Sequence, residues 1–352
     1  YADNPLYFAS KVSDMALIGA DIVGGCCGTT PEYIKDLAET VDLTPAVKSS
    51  ETAAKKECEK PIIKKGFFRN TDGTIKDKKL IAVELAPPFG ADDKKLLEAA
   101  HSLKGLGVDV LTFPDSPSGR TRIDSVLMAQ KVKNETGFDV MPHICCRDKN
   151  AIAMRSTFLG ASINGINNFL IITGDPIPVM ARQVVKSVFN FDSVGLMRIA
   201  DEMNSDSLKN QPITYGGAIN QGRLRIEAEI KRVQKKMDAG AEFFLTQPVF
   251  TAEDAERLRR VKEETGARIL CGIMPLVSRK NALFMKNEIS GVNVTDEVIE
   301  RYPESTSRED GENIGVELAK EMIAITKDFA DGYYFSFPFN RTYLLKRIIT
   351  EI

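Results

Sequence analysis

Histidine is nearly absent: the 352-residue chain has two, His101 and His143, which nearly rules out any mechanism or metal site built on a histidine cluster. An excess of charge is missing too. Lys and Arg number 47 against 49 Asp and Glu, a net charge of −2, which argues against a nucleic-acid or polyanion partner. No apolar run approaches the roughly 20 residues that span a bilayer, and no basic, apolar, small-residue leader opens the chain. No membrane partner and a cytoplasmic location are therefore expected. Neither G-x-G-x-x-G after a strand nor G-x-x-x-x-G-K-[ST] occurs, so a Rossmann domain or a P-loop is unsupported, and a nucleotide cofactor would have to be held by loop side chains and helix N-termini. Six cysteines include the adjacent pairs Cys26-Cys27 and Cys145-Cys146; neighbouring cysteines bridge each other only with strain, which argues against a secreted disulfide framework. With 43% apolar and 27% charged residues, the composition is that of a folded globular chain. The first residue is Tyr1 rather than methionine, so the chain is expected to be a piece of something longer.

Three segments follow from the patterning. Residues 1–43 contain a helical stretch from Pro5 to Leu17, a short apolar strand with a glycine turn (GADIVGGCCG), and the start of a second helix capped by Thr29 or Thr30 before Pro31-Glu32. That makes about one and a half β/α units, too little for an independent core. Residues 44–78 are rich in Lys, Glu, Ser and Thr without a sustained apolar period, and read as a solvated linker. From residue 79 to 352 the pattern becomes regular. Short apolar runs (IAVELA, VDVLTF, FDVMPHI, NFLIITG, PITYGGAI, AEFFLTQ, ARILCGI and GYYFSFPF) recur with amphipathic, helix-length segments between them, several stopped by glycine (LKGLGVD, KMDAGAE, ETGAR). Near-continuous apolar strands alternating with helices imply a parallel sheet covered on both faces. The economical architecture is an α/β (β/α)₈ TIM barrel preceded by a partial β/α fragment and a linker, with chemistry at the C-terminal ends of its strands.

Polar and ionisable residues gather at those ends: Glu84, Thr112, His143, Thr173-Gly174-Asp175, Asn220, Gln247, Met274-Pro275 and Asn340-Arg341. Glu84 interrupts the apolar run IAVEL, so a carboxyl pointing into a barrel mouth should be desolvated and its pKa raised, as a general acid requires. The alternative is a buried glutamate paired with an arginine. Asp175 in TGDP is either a functional carboxylate or a turn residue before proline; His143 is more readily a hydrogen-bonded core histidine than a metal ligand. Glu229 and Lys236 fall two turns apart on one face of the helix after strand five, where solvated helix charges are the plain alternative.

VELAPP, LTFPDS, MPHICC, FLIITGDP, DAGAEFFLTQPVF, CGIMPLVS and YFSFPFNRT, in that order, resemble the methylenetetrahydrofolate reductases, flavin-dependent TIM barrels of one-carbon metabolism. The resemblance covers roughly residues 78–352. It implies an oxidoreductase of methionine biosynthesis that passes hydride from NADH or NADPH through FAD to 5,10-methylenetetrahydrofolate, giving 5-methyltetrahydrofolate. By motif, Glu84 resembles the general acid that protonates folate N10, and Asp175 the catalytic carboxylate beside flavin and pterin. Thr112, His143, Thr173, Gly174 and Phe191 resemble flavin contacts, Glu229 and Lys236 the positions holding ribose and pyrophosphate, and Gln247 and Arg341 substrate contacts. Thr173 stands where an arginine is common. The folate substrate is the expected partner, and a homo-oligomer is left open.

GADIVGGCCGTTPEYI in the first segment resembles the last part of a homocysteine S-methyltransferase barrel, where adjacent cysteines are two of three thiolates on a catalytic zinc. Cys26 and Cys27 supply only two, so this incomplete pair is expected to stay empty, with zinc belonging to a longer parent protein. Buried thiols are the plain reading of Cys145-Cys146. Two other functions stay open: homocysteine S-methyl transfer by that parent, and a barrel that binds folate without turnover.

Overall fold

The computed structural model describes residues 4–17, 20, 22–41, 64–289, 291–305 and 307–352, in two units, Tyr1–Lys60 and Pro61–Ile352. Most of the expected linker, with Cys58, lies outside the described residues. No helix among the described residues is long and apolar enough to cross a membrane.

The first unit holds α1 (Pro5–Leu17) and α2 (Pro31–Thr40), the latter with proline in its first turn after Thr30, where the missing N–H costs nothing. Ala9, Val12, Leu37 and Val41 form its small core, and Phe8 meets Tyr33 edge-on with centroids 5.4 Å apart. The apolar strand expected in GADIVGGCCG is not seen among the described residues, which are irregular between the helices. A single strand has no neighbour to take its backbone hydrogen bonds, and β-propensity alone does not hold it.

In the second unit eight parallel strands close a barrel in sequential order. They are β1 (Leu80–Glu84), β2 (Val110–Phe113), β3 (Val140–Cys145), β4 (Asn168–Ile172), β5 (Thr214–Ile219), β6 (Phe244–Pro248), β7 (Ile269–Ile273) and β8 (Gly332–Ser336). Between them run α3 (Lys94–Ser102), α4 (Ser125–Thr136), α5 (Ala151–Ile163), α6 (Ser193–Ser205), α7 (Ile226–Asp238), α8 (Ala252–Thr265), α9 (Arg279–Glu288), α10 (Asp296–Glu300) and α11 (Arg308–Thr326). The eight apolar runs are these strands, and the (β/α)₈ architecture expected from their spacing is the one observed. Local chemistry agrees with the boundaries. Asp124 caps α4 by accepting from the amides of Val126 and Leu127, Thr251 caps α8, and Gly266 ends α8 with φ +69°, a conformation that favours glycine.

The solvated-linker reading fails for its final stretch. Phe67 and Phe68 are fully buried with Phe243, Ala82, Val110, Met141, Leu170, Leu245 and Leu270, closing the N-terminal end of the barrel, and Phe67 meets Phe243 edge-on at 5.0 Å. The chain is pinned on either side: Asn168 Oδ1 accepts from the Phe67 amide at 2.9 Å, and Thr214 Oγ1 donates to the Lys65 carbonyl at 2.5 Å. Two aromatic residues among lysines create no apolar period, so the sequence pattern gave no sign of the plug. Phe68→Ala should lower stability by about 3–5 kcal/mol in urea titrations, whereas deleting residues 1–63 should leave the barrel's melting temperature nearly unchanged.

Candidate active site

The apolar barrel interior ends in a polar layer at the C-terminal edge. Glu84 closes β1 in register with Thr112 of β2 and Ser336 of β8. Its carboxylate accepts from the Tyr334 hydroxyl and, at 3.0 Å, from Ser336 Oγ. Burial raises the Glu84 pKa above the usual carboxylate range, against the opposing pull of the two hydroxyls and the more distant positive charge of Arg122. Among the described residues Glu84 has no ion-pair partner; Arg122 instead donates to the Pro87 carbonyl at 2.7 Å and stacks on Phe89. Burial and the adjacent Glu84 push the Tyr334 phenol well up, so it stays a donor. A protonated carboxyl in this setting can give its proton to a ligand atom in the mouth.

Glu84, His143, Gly174, Asp175 and Gln247 line one cavity of about 340 Å³, with Asp115, Leu170, Leu245, Met274 and Tyr334. Burial holds the His143 pKa down at about 3, so the ring is neutral, and its Nε2 is buried without a partner. Asp115 accepts from the Cys145 amide at 3.1 Å, and burial raises its pKa. Gly174 has φ +96°, and a Cβ there would come within 3.0 Å of Cys145 Cβ; the bare backbone forms part of the wall. The Asp175 carboxylate accepts from the Ser118 amide at 2.6 Å.

A second cavity of about 260 Å³ shares Ile172, Gly174, Asp175, Ala218 and Gln247 with the first and extends to Thr173, Asn220, Arg223, Glu229, Arg232 and Lys236. The solvated-charge alternative for α7 does not hold: Glu229 is 1% exposed and Lys236 5%. Glu229 accepts from the Asn220 amide at 3.0 Å and pairs with Arg223 at 2.9 Å. Lys236 Nζ donates to the Ala218 carbonyl at 2.5 Å, and burial lowers its pKa to about 8, partly offset by Glu229. Three cations around one carboxylate suit a diphosphate or another compact anion.

Of the residues likened to flavin and substrate contacts, three line neither cavity. Thr112 is fully buried in the barrel layer, Phe191 packs part-buried against the outer core, and Arg341 pairs with Glu312 at 2.9 Å. Thr173 bounds the second cavity while its hydroxyl accepts from the Ser193 amide at 3.1 Å, at the start of α6. Tyr334 and Ser336 went unnoticed in the sequence, although alternation along GYYFS puts both on one face of β8. Asp115, Ser118 and Arg147 lie in loops or beyond strand ends, where no period marks burial.

Cys26 and Cys27 are exposed, and Cys145, Cys146 and Cys271 are buried; all five are unbridged. Among the described residues no three or more metal-ligating side chains come together. Burial pushes the Cys145 and Cys146 thiols up to about 12. Native-state alkylation mapped by mass spectrometry should therefore modify Cys26 and Cys27 and spare Cys145, Cys146 and Cys271 until the fold is denatured.

Residues 70–350 match the family model described as methylenetetrahydrofolate reductase, and residues 1–41 match that described as homocysteine S-methyltransferase. The 5,10-methylenetetrahydrofolate reductase of Buchnera aphidicola subsp. Schizaphis graminum (strain Sg) is 24% identical over 262 residues, covering 71% of this chain and 85% of the relative. That of Salmonella typhimurium (strain LT2) is 26% identical over 208 residues, covering 57% of this chain and 66% of the relative. Among solved structures, a 2,3-dimethylmalate lyase aligns with a TM-score of 0.44 at 15% identity, over 78% of this chain and 81% of that one.

Proposed function

The chain belongs to the methylenetetrahydrofolate reductase family, whose model spans residues 70–350, and from that premise we propose a flavin-dependent reduction of 5,10-methylenetetrahydrofolate to 5-methyltetrahydrofolate with NADH or NADPH as donor. The observation that carries this reading is the desolvated Glu84 carboxyl at the end of β1, in a mouth that adjoins a cation-walled cavity. The residues present fit FAD. His143 has a buried, unpartnered ring nitrogen on the mouth cavity, Gly174 presents bare backbone, and Lys236, Arg223 and Arg232 meet the needs of a diphosphate. When bound there, FAD supplies a ring that takes hydride from the nicotinamide and returns it to the folate.

The chain's own residues do the rest. Neutral Glu84 donates its proton to folate N10 as the bond between N10 and the methylene carbon breaks, leaving an iminium cation on N5. Tyr334 and Ser336 hold the carboxyl and stabilise the carboxylate that remains. Asp175, at the junction of the two cavities, sets a negative charge beside that cation. Gln247 offers its amide to the pterin. Neutral His143 aims a ring nitrogen that neither gains nor loses charge near neutral pH. Glu229 pairs with Arg223 and would orient the cations for a diphosphate, its carboxylate also suiting a ribose hydroxyl.

The purified chain reconstituted with FAD should be yellow, bleach anaerobically with NADH or NADPH, and recover its colour on addition of methylenetetrahydrofolate with formation of methyltetrahydrofolate. A protein that takes up no FAD overturns the proposal.

A further inference from the structure

Arg147, two residues beyond β3, is 2% exposed and has no part in the chemistry described above. Its guanidinium joins three segments. Nη1 donates to the Asp175 carbonyl at 3.1 Å and Nη2 to the Ser116 carbonyl at 3.1 Å. Nε and Nη2 also form a fork on Asp148, at 2.8 and 2.6 Å. Burying an arginine is costly unless its charge and donors are used; here they tie the loop after β2 to the loop after β4.

These two loops are pressed together. Ser116 and Ser118 have φ of +44° and +55°, a region that non-glycine residues occupy only when their surroundings hold them there. A Cβ at Gly119 would come within 2.8 Å of Pro178 Cδ and 3.0 Å of the Pro176 carbonyl. Across the same seam the Ser118 amide donates to the Asp175 carboxylate at 2.6 Å. Arg147 thus holds the backbone of Asp175, and the loop that Arg147 also holds fixes its side chain. Arg147 itself lines neither cavity.

We propose that Arg147 is a positioning residue, a buried guanidinium clasp that sets the Asp175 carboxylate at the junction of the two cavities. The inference rests on the role given to Asp175 in the proposed reaction. Lysine keeps the charge at this position, yet one ammonium cannot span two carbonyls and a carboxylate fork.

The test uses the full chain as wild type, Arg147→Lys, Asp148→Asn, Asp175→Asn and the Arg147→Lys/Asp175→Asn double variant. Hydrogen exchange at the Ser118 amide should speed up about tenfold in Arg147→Lys, as expected for the loss of one charge-assisted hydrogen bond, with α8 unchanged. Asp148→Asn, altered at a half-exposed partner, should move exchange the same way by less and serves if Arg147→Lys does not fold. Arg147→Lys should slow the folate half-reaction about tenfold while changing reduction by nicotinamide less than about twofold. In the Asp175→Asn background the same substitution should cost almost nothing more, because the two act as one unit. Unchanged exchange at Ser118 in the variants, or losses that multiply in the double variant, overturns the proposal. If the wild type proves to have no folate activity, the function assignment fails, and the exchange measurement still decides whether Arg147 clasps the loops.

Discussion

Glu84→Gln should yield a protein that binds FAD and is reduced by nicotinamide at the wild-type rate, yet passes hydride to methylenetetrahydrofolate about 10³-fold more slowly. The amide oxygen can accept from the Tyr334 hydroxyl while the amide NH2 donates to Ser336 Oγ, whose hydroxyl can turn to accept, so the cavity keeps its shape. What it cannot do is release a proton to N10. Stopped-flow measurement of the two half-reactions separates the outcomes, and equal loss in both removes Glu84 from the acid's role. The pH dependence follows from the raised pKa. The rate of the folate step should fall as pH rises through the folded pKa of Glu84, and that limb should vanish in the variant. Stability should move the opposite way to that of a salt-bridged carboxylate. Because the fold favours the neutral acid, stability is greatest below the unfolded pKa and declines as pH climbs to the folded one. Urea titrations at pH 8 should accordingly find Glu84→Gln no less stable than the wild type.

Lys236→Met should weaken FAD binding about a hundredfold, the scale of a desolvated charge-assisted contact to a phosphate. The methionine chain fills the lysine's volume, while Arg223, Arg232 and Glu229 remain, so the loss reports one buried cation. Fluorescence-quenching titrations with FAD measure it, and affinity within about threefold of wild type would place the diphosphate elsewhere. The folded pKa of about 8 adds a signature. Without ligand, the unfolded chain holds the lysine proton more tightly than the fold, so stability should rise with pH from about 8 toward the ordinary lysine range. FAD affinity should decline over that interval as the ammonium discharges, and the decline should be absent in Lys236→Met.

How much of this was legible in the sequence depended on whether burial left a period behind. The eight strands did, because a parallel barrel buries both faces of each and leaves unbroken apolar runs; the polar residues that end them then fell at the mouth. Tyr334 and Ser336 were readable only through the register that sets them beside Glu84. Arg147 gave no sign, since its burial is justified by the carbonyls of Ser116 and Asp175, each about thirty residues away in the chain, and no local pattern encodes them. Phe67 and Phe68 were hidden by the lysines around them. In GADIVGG the opposite happened: the composition suits a strand, but a strand needs a neighbour.

The aromatic plug formed by Phe67, Phe68 and Phe243 makes the barrel a vessel with one opening. Behind Glu84 lie the packed rings and aliphatic side chains of Ala82, Val110, Met141, Leu170, Leu245 and Leu270. In the proposed reaction the proton that Glu84 gives up must return through the same doorway that admits the nicotinamide and the folate. Recharging the acid and exchanging the ligands therefore compete for one passage. This orders the cycle: the proton re-enters while the mouth stands open between one ligand's departure and the next one's arrival, and a ligand that lingers there delays the next turnover even after its own chemistry is complete.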